Sequence, residues 1–443
     1  MMRALCRPAI LGLTGTMAAS PQPEFLQAVA ALRARFPEAP SPYRVPLTRN
    51  TFGDEEIAAA LEALVCGPVT LGPRVLAFER EFAQAHGAPD AVFCNSGSSA
   101  NLLAMAVLAR PQSSTSGPLL LPGDEVVVPA VTWSTTLWPV AQVGAVPVLA
   151  DVDPATLNVT VQSIERALGP RTRAVFVAHI LGNPAPIDAI ADLCRSRGLI
   201  LIEDVCESLD AEIAGRKCGT FGRMGTFSFY FSHHMCTTEG GMVVCQDPED
   251  GDRLRIQRAH GWTRNLPAAS KARYEALHPD IDPRFLFVDT GYNLRPTDVQ
   301  AAIGLVQLRR RLQFLAARRH AASVLTEARD RNADVFLPMQ FAAGASHFAF
   351  PLVIRPELDA TRGDLAHYLE ERGIENRPLV AGNLARQPAL RHVVHRIAGP
   401  LLGADLLHER AMYVGIHPNL AADDLASFVA AIDGFAALVR ETR

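Results

Sequence analysis

Four short polar stretches follow apolar, β-branched runs of the chain and contain residue types suited to binding a cofactor. The stretches are residues 95–101 (NSGSSAN) after AVFC, Trp133 after EVVVPA, Glu203-Asp204 after LILI, and His233-His234 after GTFSFYF. Apolar runs that alternate with helical patterns predict parallel strands, whose carboxyl ends meet at one edge of a sheet. We therefore expect these side chains to gather around a single site.

Two of the stretches suit the phosphate and the ring of a flat cofactor. The Gly/Ser turn at residues 95–101 opens a predicted helix, where free backbone N–H groups and the positive end of the helix dipole bind phosphate. An ordinary helix capped by serine is the alternative. Trp133 is placed to stack on a cofactor ring, and packing in the core is its alternative.

The other two stretches supply an acid and an imidazole. Asp204 ends an apolar strand, where a carboxylate needs a cation such as a protonated pyridine nitrogen, unless it caps the next helix. His233 and His234 follow a later strand, where a solvated turn is the alternative, and the spacing of their neighbours does not favour a metal site. A phosphate cradle, a stacking ring, an acid and a reactive residue together predict a pyridoxal 5′-phosphate site.

The elements that must hold these residues predict a three-layer α/β fold with a mostly parallel sheet. The predicted strands are residues 91–95, 125–130, 146–152, 174–180, 199–205, 225–231 and 240–246. A long helical pattern begins near Ala301 and leads into a shorter α+β segment. We predict a leader and helical arm over residues 1–50, a large cofactor-binding domain over 51–310 and a small C-terminal domain over 311–443.

Composition narrows the class of partner. The chain has 443 residues, is 49% hydrophobic and has a net charge of −4, so nothing favours nucleic acid as a partner. Eight scattered cysteines without a C-x-x-C pair indicate reduced thiols in a cytoplasm. No apolar run is long enough to span a membrane, and glycines and threonines interrupt a leader over residues 1–20 that loosely resembles an export signal. A small molecule is the expected partner.

The motifs resemble those of the DegT/DnrJ/EryC1/StrS family of sugar aminotransferases over roughly residues 50–430. They include SGSSANLLAM, VPAVTWSTT, LIEDVCESL, FSFYFSH, TTEGGMVV and GYNLRPTDVQAAIGLVQL. The resemblance implies the type I aminotransferase fold and pyridoxal or pyridoxamine 5′-phosphate as cofactor. It also implies a homodimer with shared active sites, in which Asn293 reaches the phosphate bound by the neighbouring subunit.

The resemblance further implies roles for individual residues. The backbone at Gly97 and Ser98 and the hydroxyl of Ser228 would hold the cofactor phosphate. Trp133 would stack on the cofactor ring, and Asp204 would pair with the ring nitrogen.

This chain has His233 where the aminotransferases of the family carry the lysine that attaches the cofactor. Only two lysines occur against 40 arginines, and neither Lys217 nor Lys271 follows a strand of the predicted site. A cofactor held noncovalently can work in its amine form, and a histidine can still move protons because its usual pKa lies near the working pH. These properties suit elimination of a hydroxyl group from a keto sugar, with His233 as the catalytic base.

A 3-dehydratase branch of the family is similar to this chain in SHHM, in Gly182-Asn183, in EDVCESL and in RPLVAGNLARQP at residues 377–388. The similarity implies 3-deoxy-4-keto sugars as products, for deoxysugar and lipopolysaccharide O-antigen biosynthesis. One kind of enzyme in the branch carries an iron–sulfur cluster, which needs four thiolates. Residues 258–274 contain no cysteine, and Cys206 is one candidate ligand of four.

The resemblance therefore implies the kind of enzyme without a cluster. That kind takes its amino group from L-glutamate and acts on a nucleotide-linked 4-keto-6-deoxyhexose. GDP is favoured as the nucleotide only through the missing cysteines, so another nucleotide stays open. A sugar aminotransferase that works without lysine and a non-catalytic binder of cofactor or sugar nucleotide are the alternative functions.

Overall fold

The computed structural model of the chain describes residues 22–36, 40–111 and 117–442. Its strands are β1 Asp90–Cys94, β2 Glu125–Pro129, β3 Val146–Ala150, β4 Thr172–Ala178, β5 Ile200–Asp204, β6 Glu212–Ile213, β7 Arg216–Lys217, β8 Met224–Ser228, β9 Gly241–Cys245, β10 Ala349–Val353, β11 Asn376–Pro378, β12 Arg396–Ile397 and β13 Ala411–Gly415. Its α-helices are α1 Pro23–Arg35, α2 Asp54–Cys66, α3 Pro73–His86, α4 Gly97–Leu108, α5 Ser134–Gln142, α6 Val161–Ala167, α7 Ile187–Arg197, α8 Pro248–Arg258, α9 Ala268–Leu277, α10 Asp298–Asp330, α11 Arg362–Glu370, α12 Leu402–Arg410 and α13 Ala422–Glu441.

An eight-stranded sheet forms the centre of the molecule, in the order β1-β9-β8-β5-β4-β2-β3-β12. Seven of its strands run in one direction, and β9 is antiparallel to both of its neighbours. Its central strands are buried at nearly all positions, as expected when helices cover a sheet. Helix α4 packs on β8 and β9, α7 packs on β5, and α6 packs on β3. The carboxyl ends of the seven aligned strands therefore meet at one edge.

Each of the seven strands predicted from the sequence is present, with ends that differ from the prediction by at most three residues. The largest difference lies in GTFSFYF, where β8 ends at Ser228 instead of continuing to Phe231. The Ser228 hydroxyl accepts the backbone N–H of Tyr230 at 3.3 Å, so the chain turns immediately after the strand. The apolar residues beyond Ser228 thus belong to a turn at the edge of the sheet.

A smaller antiparallel sheet, β10-β13-β11, packs with α11 and α13 around a second hydrophobic core. The long helix α10 begins at a capping box of Thr297 and Gln300 and contributes Leu308 to the first core and Leu325 to the second. Strand β12 returns from the C-terminal part of the chain to pair in parallel with β3. The predicted domain boundary at residue 310 lies inside α10, which packs in both hydrophobic cores. The division into domains therefore stays a prediction.

The N-terminal part of the described chain is an arm against the large core. Helix α1 packs on α2, and Arg33 lies 2.7 Å from the carboxylate of Asp54. The leader predicted for residues 1–20 lies outside the described residues. Among the described residues, no helix has both the length and the apolar character needed to cross a membrane.

Candidate active site

A cavity of about 390 Å³ lies at the edge of the sheet where the aligned strands end. Its lining contains six of the seven site residues predicted from the sequence: Gly97, Ser98, Trp133, Asp204, Ser228 and His233. These residues lie at the carboxyl ends of β1, β2, β5 and β8 or in the segments that follow those strands. Parallel strands bring their carboxyl ends together, which explains why residues far apart in sequence meet here.

The N-terminus of α4 forms one wall of the cavity. The Ser96 hydroxyl caps the helix by accepting the backbone N–H of Ser99 at 3.1 Å, and the earlier N–H groups of Gly97 and Ser98 have no acceptor within the helix. A Cβ atom added to Gly97 would lie 2.4 Å from the Cβ of Ser228, so glycine is required for the two segments to approach. Backbone N–H groups and a hydroxyl at a helix N-terminus are donors that suit a phosphate.

Asp204 ends β5 as a buried carboxylate, 6% exposed. Its Oδ2 accepts hydrogen bonds from Asn101 Nδ2 and Thr136 Oγ1, each at 2.8 Å, and its Oδ1 accepts the backbone N–H of Cys206 at 3.1 Å. These three donors are neutral, so they orient the carboxylate without cancelling its charge. A protonated ring nitrogen in the cavity would supply the positive charge that a buried carboxylate needs.

His233 lies in the turn after β8 with its ring beside Phe348, at 5.0 Å between ring centroids. Its Nδ1 lies 2.7 Å from the carbonyl oxygen of Cys206. Because a carbonyl oxygen only accepts, Nδ1 has the proton and Nε2 is the basic nitrogen of the neutral ring. Burial is the main reason why the pKa of His233 is lowered to about 4; the hydrogen bond to the Cys206 carbonyl opposes this shift, and the guanidinium of Arg318 adds to it. A histidine is expected from its type alone to have a pKa near neutrality, and burial is the reason why His233 differs.

His234, the second histidine of the pair, faces the interior of the protein. It is 5% exposed, does not line the cavity, and its Nε2 lies 3.3 Å from the carbonyl oxygen of Ser346. Burial lowers its pKa well below the usual value. The adjacent histidines therefore occupy different environments, and only His233 is placed for chemistry in the cavity.

Trp133 and Asn293 differ in their relation to the cavity. Trp133 precedes α5, lines the cavity and is 56% exposed, so the core-packing alternative does not apply to it. Asn293 is exposed, does not line the cavity, and its Oδ1 accepts a hydrogen bond from Arg295 at 2.9 Å. The role of Asn293 toward a neighbouring subunit stays a prediction.

Several lining residues were not identified from the sequence. Asn101 lies at an otherwise apolar face of α4, and this polar interruption was a usable signal. Glu207 lies in the EDVCESL motif; its carboxylate accepts the backbone N–H of Leu181 at 2.8 Å, and burial raises its pKa to about 7. Phe348 and Tyr413 come from the part of the chain that builds the small sheet, and no local pattern connects them with the cavity.

A compact buried group lies beside the cavity, formed by His179, Glu203 and Cys218, whose possible ligand atoms lie within 4.8 Å of one another. The carboxylate of Glu203 accepts the backbone N–H groups of Gly219 and Gly222, both at 2.7 Å, and lies 3.3 Å from His179 Nε2. The carboxylate oxygens of Glu203 and the Nε2 of His179 are thus already engaged in hydrogen bonds within the protein. We interpret the group as a hydrogen-bonded cluster that fixes the end of β5 and not as a metal site.

Known proteins resemble the chain along most of its length. The sequence profile described as the DegT/DnrJ/EryC1/StrS aminotransferase family matches residues 50–433. The GDP-4-keto-6-deoxy-D-mannose 3-dehydratase of Yersinia pseudotuberculosis is 37% identical over 374 residues, which cover 84% of this chain and 94% of that protein. The dTDP-4-dehydro-2,6-dideoxy-D-glucose 3-dehydratase of Saccharopolyspora spinosa is 36% identical over 395 residues, which cover 85% of each chain.

A solved structure gives the same likeness in three dimensions. It is a GDP-4-keto-6-deoxymannose 3-dehydratase with a trapped PLP–glutamate geminal diamine, and it is 34% identical to this chain. The two structures superpose with a TM-score of 0.81, over 88% of this chain and 100% of the other.

Proposed function

Because the chain belongs to the DegT/DnrJ/EryC1/StrS aminotransferase family, we propose that it is a 3-dehydratase that deoxygenates a nucleotide-linked 4-keto-6-deoxyhexose with L-glutamate as amino donor. The family, the type I aminotransferase fold and the pyridoxal-phosphate dependence predicted from the sequence are confirmed. One observation carries the proposal: the imidazole of His233, the residue that the resemblance aligns with the family's lysine, lines the cavity and has a lowered pKa. GDP is the favoured nucleotide because the Yersinia relative is named for a GDP-linked substrate.

The residues of the cavity fit pyridoxal phosphate. The first turn of α4 and the Ser228 hydroxyl would hold its phosphate, the exposed ring of Trp133 would cover its ring, and Asp204 would pair with the ring nitrogen. When bound, the cofactor takes an amino group from glutamate and withdraws electrons from the sugar carbons next to the keto group. The negative charge of Asp204 favours the protonated ring nitrogen, which strengthens that withdrawal.

His233 would move the proton of the reaction. Its Nε2 is unprotonated at neutral pH, so it can accept a proton at the reacting carbon, while the hydrogen bond from Nδ1 to the Cys206 carbonyl keeps the ring oriented. An imidazole with a pKa near 4 becomes a strong acid once protonated. It can therefore give the proton to the departing C3 hydroxyl, which leaves as water.

The two lysines are placed outside this chemistry. Lys217 forms an ion pair with Asp210, and Lys271 Nζ lies 3.7 Å from the carboxylate of Glu275 on α9. Neither lysine lines the cavity. An aminotransferase that depends on a lysine amine is therefore not supported by the described residues.

The proposed reaction has a distinctive mass balance. Purified protein incubated with pyridoxal phosphate, L-glutamate and GDP-4-keto-6-deoxymannose is expected to yield a nitrogen-free sugar that has lost one oxygen atom. Each turnover releases one 2-oxoglutarate and one ammonia, both measurable by coupled assays beside mass spectrometry of the sugar. A stable amino sugar would instead support the aminotransferase alternative, and absence of turnover with both GDP- and dTDP-linked substrates would support the non-catalytic binder.

The pH dependence of kcat/KM is expected to differ from that of an ordinary histidine enzyme. His233 is neutral and able to accept a proton above its lowered pKa. The fall of kcat/KM on the acidic side of the profile is therefore expected near pH 4 and not near pH 6.5. Glu207, whose pKa is about 7, adds a transition near neutrality. Glu207→Gln should remove the transition near pH 7 and keep the acidic limb. A limb near pH 6.5 that persists in Glu207→Gln would contradict the burial argument for His233.

A further inference from the structure

Arg318, on the long helix α10, is a buried arginine whose charge has no carboxylate partner among the described residues. It is 2% exposed, and its Nη1 donates to the carbonyl oxygen of Phe348 at 2.6 Å. Burial lowers its pKa to about 10, so the guanidinium stays charged at neutral pH. A buried charge that meets a neutral oxygen costs stability, so its contacts need an explanation.

We propose that Arg318 is a positioning residue for the base of the reaction: it holds Phe348 against the imidazole of His233 and so fixes the orientation in which the imidazole meets the substrate. The inference deepens the proposed function, on which it rests, because it concerns the histidine that would move the proton. Arg318 does not line the active-site cavity, and it would act through Phe348, which does.

Hydrogen bonds hold Phe348 at both its backbone N–H and its backbone carbonyl. The N–H of Phe348 donates to the carbonyl oxygen of Leu181, and the N–H of Ser346 donates to that of Gly182, each at 2.9 Å. The segment after β4 thus fastens one side of Phe348. Its carbonyl oxygen accepts from Arg318, so α10 fastens the other side. Because a hydrogen bond from a charged donor is stronger than one from a neutral donor, Arg318 supplies the firmer contact.

The ring of Phe348 packs on both histidines of the turn after β8. Its centroid lies 5.0 Å from that of His233 and 5.8 Å from that of His234, with an angle of 47° between the ring planes in each pair. The hydrogen bond from His233 Nδ1 to the carbonyl oxygen of Cys206 holds one edge of the imidazole. A second ring packed against the imidazole restricts its rotation about that contact. Together the two contacts keep Nε2 of His233 in one place, as a proton transfer requires.

The charge of Arg318 acts on the same imidazole. Burial is the main reason why the pKa of His233 is lowered, and the Arg318 guanidinium adds to this shift, while the hydrogen bond to a backbone carbonyl and the Asp204 carboxylate oppose it. The adjacent His234 is neutral at neutral pH because its own pKa is well below the usual value, and the ring of Tyr230 packs at 6.2 Å between centroids. A neighbouring cation disfavours the protonated imidazole. Removal of the Arg318 charge should therefore raise the pKa of His233.

The first measurement follows the His233 imidazole by NMR of the holoenzyme, labelled with carbon-13 at the Cε1 atoms of its histidines. The His233 signal is the one that is absent from His233→Asn. Arg318→Met removes both the charge and the donor, so the signal should broaden or split, and the pKa of His233 should rise by about 1. Arg318→Lys keeps the charge but lacks the planar fork of donors, so the signal should broaden while the pKa stays close to that of the parent.

Arg319→Met is the matched control. Arg319 is the next residue of α10, is exposed, and donates to the carbonyl oxygen of Ala345 at 3.2 Å, in the segment that leads to Phe348. We expect Arg319→Met to keep the line width and the pKa of the parent His233 signal. Cofactor absorbance and melting temperature check that each variant is folded.

The second measurement is a double-mutant cycle that shows whether Arg318 acts through Phe348. Arg318→Lys and Phe348→Leu should each lower kcat for deoxygenation about 10-fold to 100-fold with little change in KM, because a misplaced base slows the chemical step. The double variant should lose no more kcat than Phe348→Leu alone, because both substitutions disturb the same contact.

A His233 signal and pKa that are unchanged in Arg318→Met would overturn the inference, and so would additive losses of kcat in the double variant. Equal changes in Arg319→Met would also overturn it, since they would show a general loosening of the segment before Phe348. Where Arg318→Met fails to fold, an unbroadened His233 signal in Arg318→Lys would be the contradicting result. Because the NMR signals require no turnover, failure of the deoxygenation assay beside the expected NMR changes would count only against the proposed function.

Discussion

Replacement of His233 by asparagine is expected to lower kcat for sugar deoxygenation by about 10²-fold to 10⁴-fold, the usual contribution of a general acid–base residue. Asparagine can still donate a hydrogen bond to the carbonyl oxygen of Cys206, so the turn should keep its shape, but it has no nitrogen that accepts a proton at neutral pH. Release of 2-oxoglutarate and formation of the deoxygenated sugar give kcat, and the absorbance of the cofactor shows that it remains bound.

The neighbouring histidine is the matched control. His234 is buried and bonded toward Ser346, outside the cavity, so His234→Asn is expected to lower the melting temperature while kcat stays close to that of the parent. A large loss of kcat in His234→Asn, together with retained activity in His233→Asn, would contradict this prediction. It would show that His234 is the catalytic base.

A lysine at position 233 gives a test that does not depend on activity. His233→Lys places an amine at the position that the resemblance aligns with the lysine of the family's aminotransferases, so the variant should retain the cofactor covalently after reduction with borohydride. Mass spectrometry of the intact chain would show the addition. The parent protein should show none, and labelling of the parent at Lys217 or Lys271 would contradict the placement of those two residues.

Replacement of Asp204 by asparagine is expected to have the second large effect, a loss of cofactor affinity of about 2–5 kcal/mol. Asparagine preserves the size of the side chain but removes the charge that would pair with the ring nitrogen. Weaker electron withdrawal should lower kcat as well, even at saturating cofactor. Equilibrium dialysis gives the affinity, and steady-state rates at high cofactor concentration give kcat.

Thr136→Val is the control for the Asp204 prediction. This variant removes one neutral hydrogen-bond donor to Asp204 and leaves the carboxylate in place. It should therefore weaken cofactor binding by about 1 kcal/mol. If Asp204→Asn bound the cofactor as tightly as the parent, Asp204 would be a structural residue at the end of β5, as the helix-capping alternative from the sequence supposed.

The strands and the residues that follow them could be predicted from the sequence, because apolar β-branched runs are local patterns and parallel strands must end at one edge. Gly97, Trp133, Asp204 and His233 were found in this way. Asn101 could have been found by the same reasoning, as a polar residue on a buried helix. The sequence thus predicted the strands and the placement of these residues at one cavity wherever the information lay within one element, and the roles of the residues stay predictions.

Other features depend on contacts between distant segments. Phe348 reaches the His233 ring from a segment more than a hundred residues away, and no periodicity in the sequence links the two. The protonation state of His233 depends on burial and on a backbone carbonyl, which has no side-chain signature at all. The return of β12 to the large sheet is a two-residue pairing, too short to give a pattern.

The peptide groups of Cys206 connect the acid and the base of the site. The N–H of this residue binds the carboxylate of Asp204, and its C=O binds the ring of His233. Both contacts come from the backbone, which every amino acid except proline can provide in full. The contacts that Cys206 makes with Asp204 and His233 therefore depend on the path of the backbone at this position, so a substitution that keeps this path should keep both contacts.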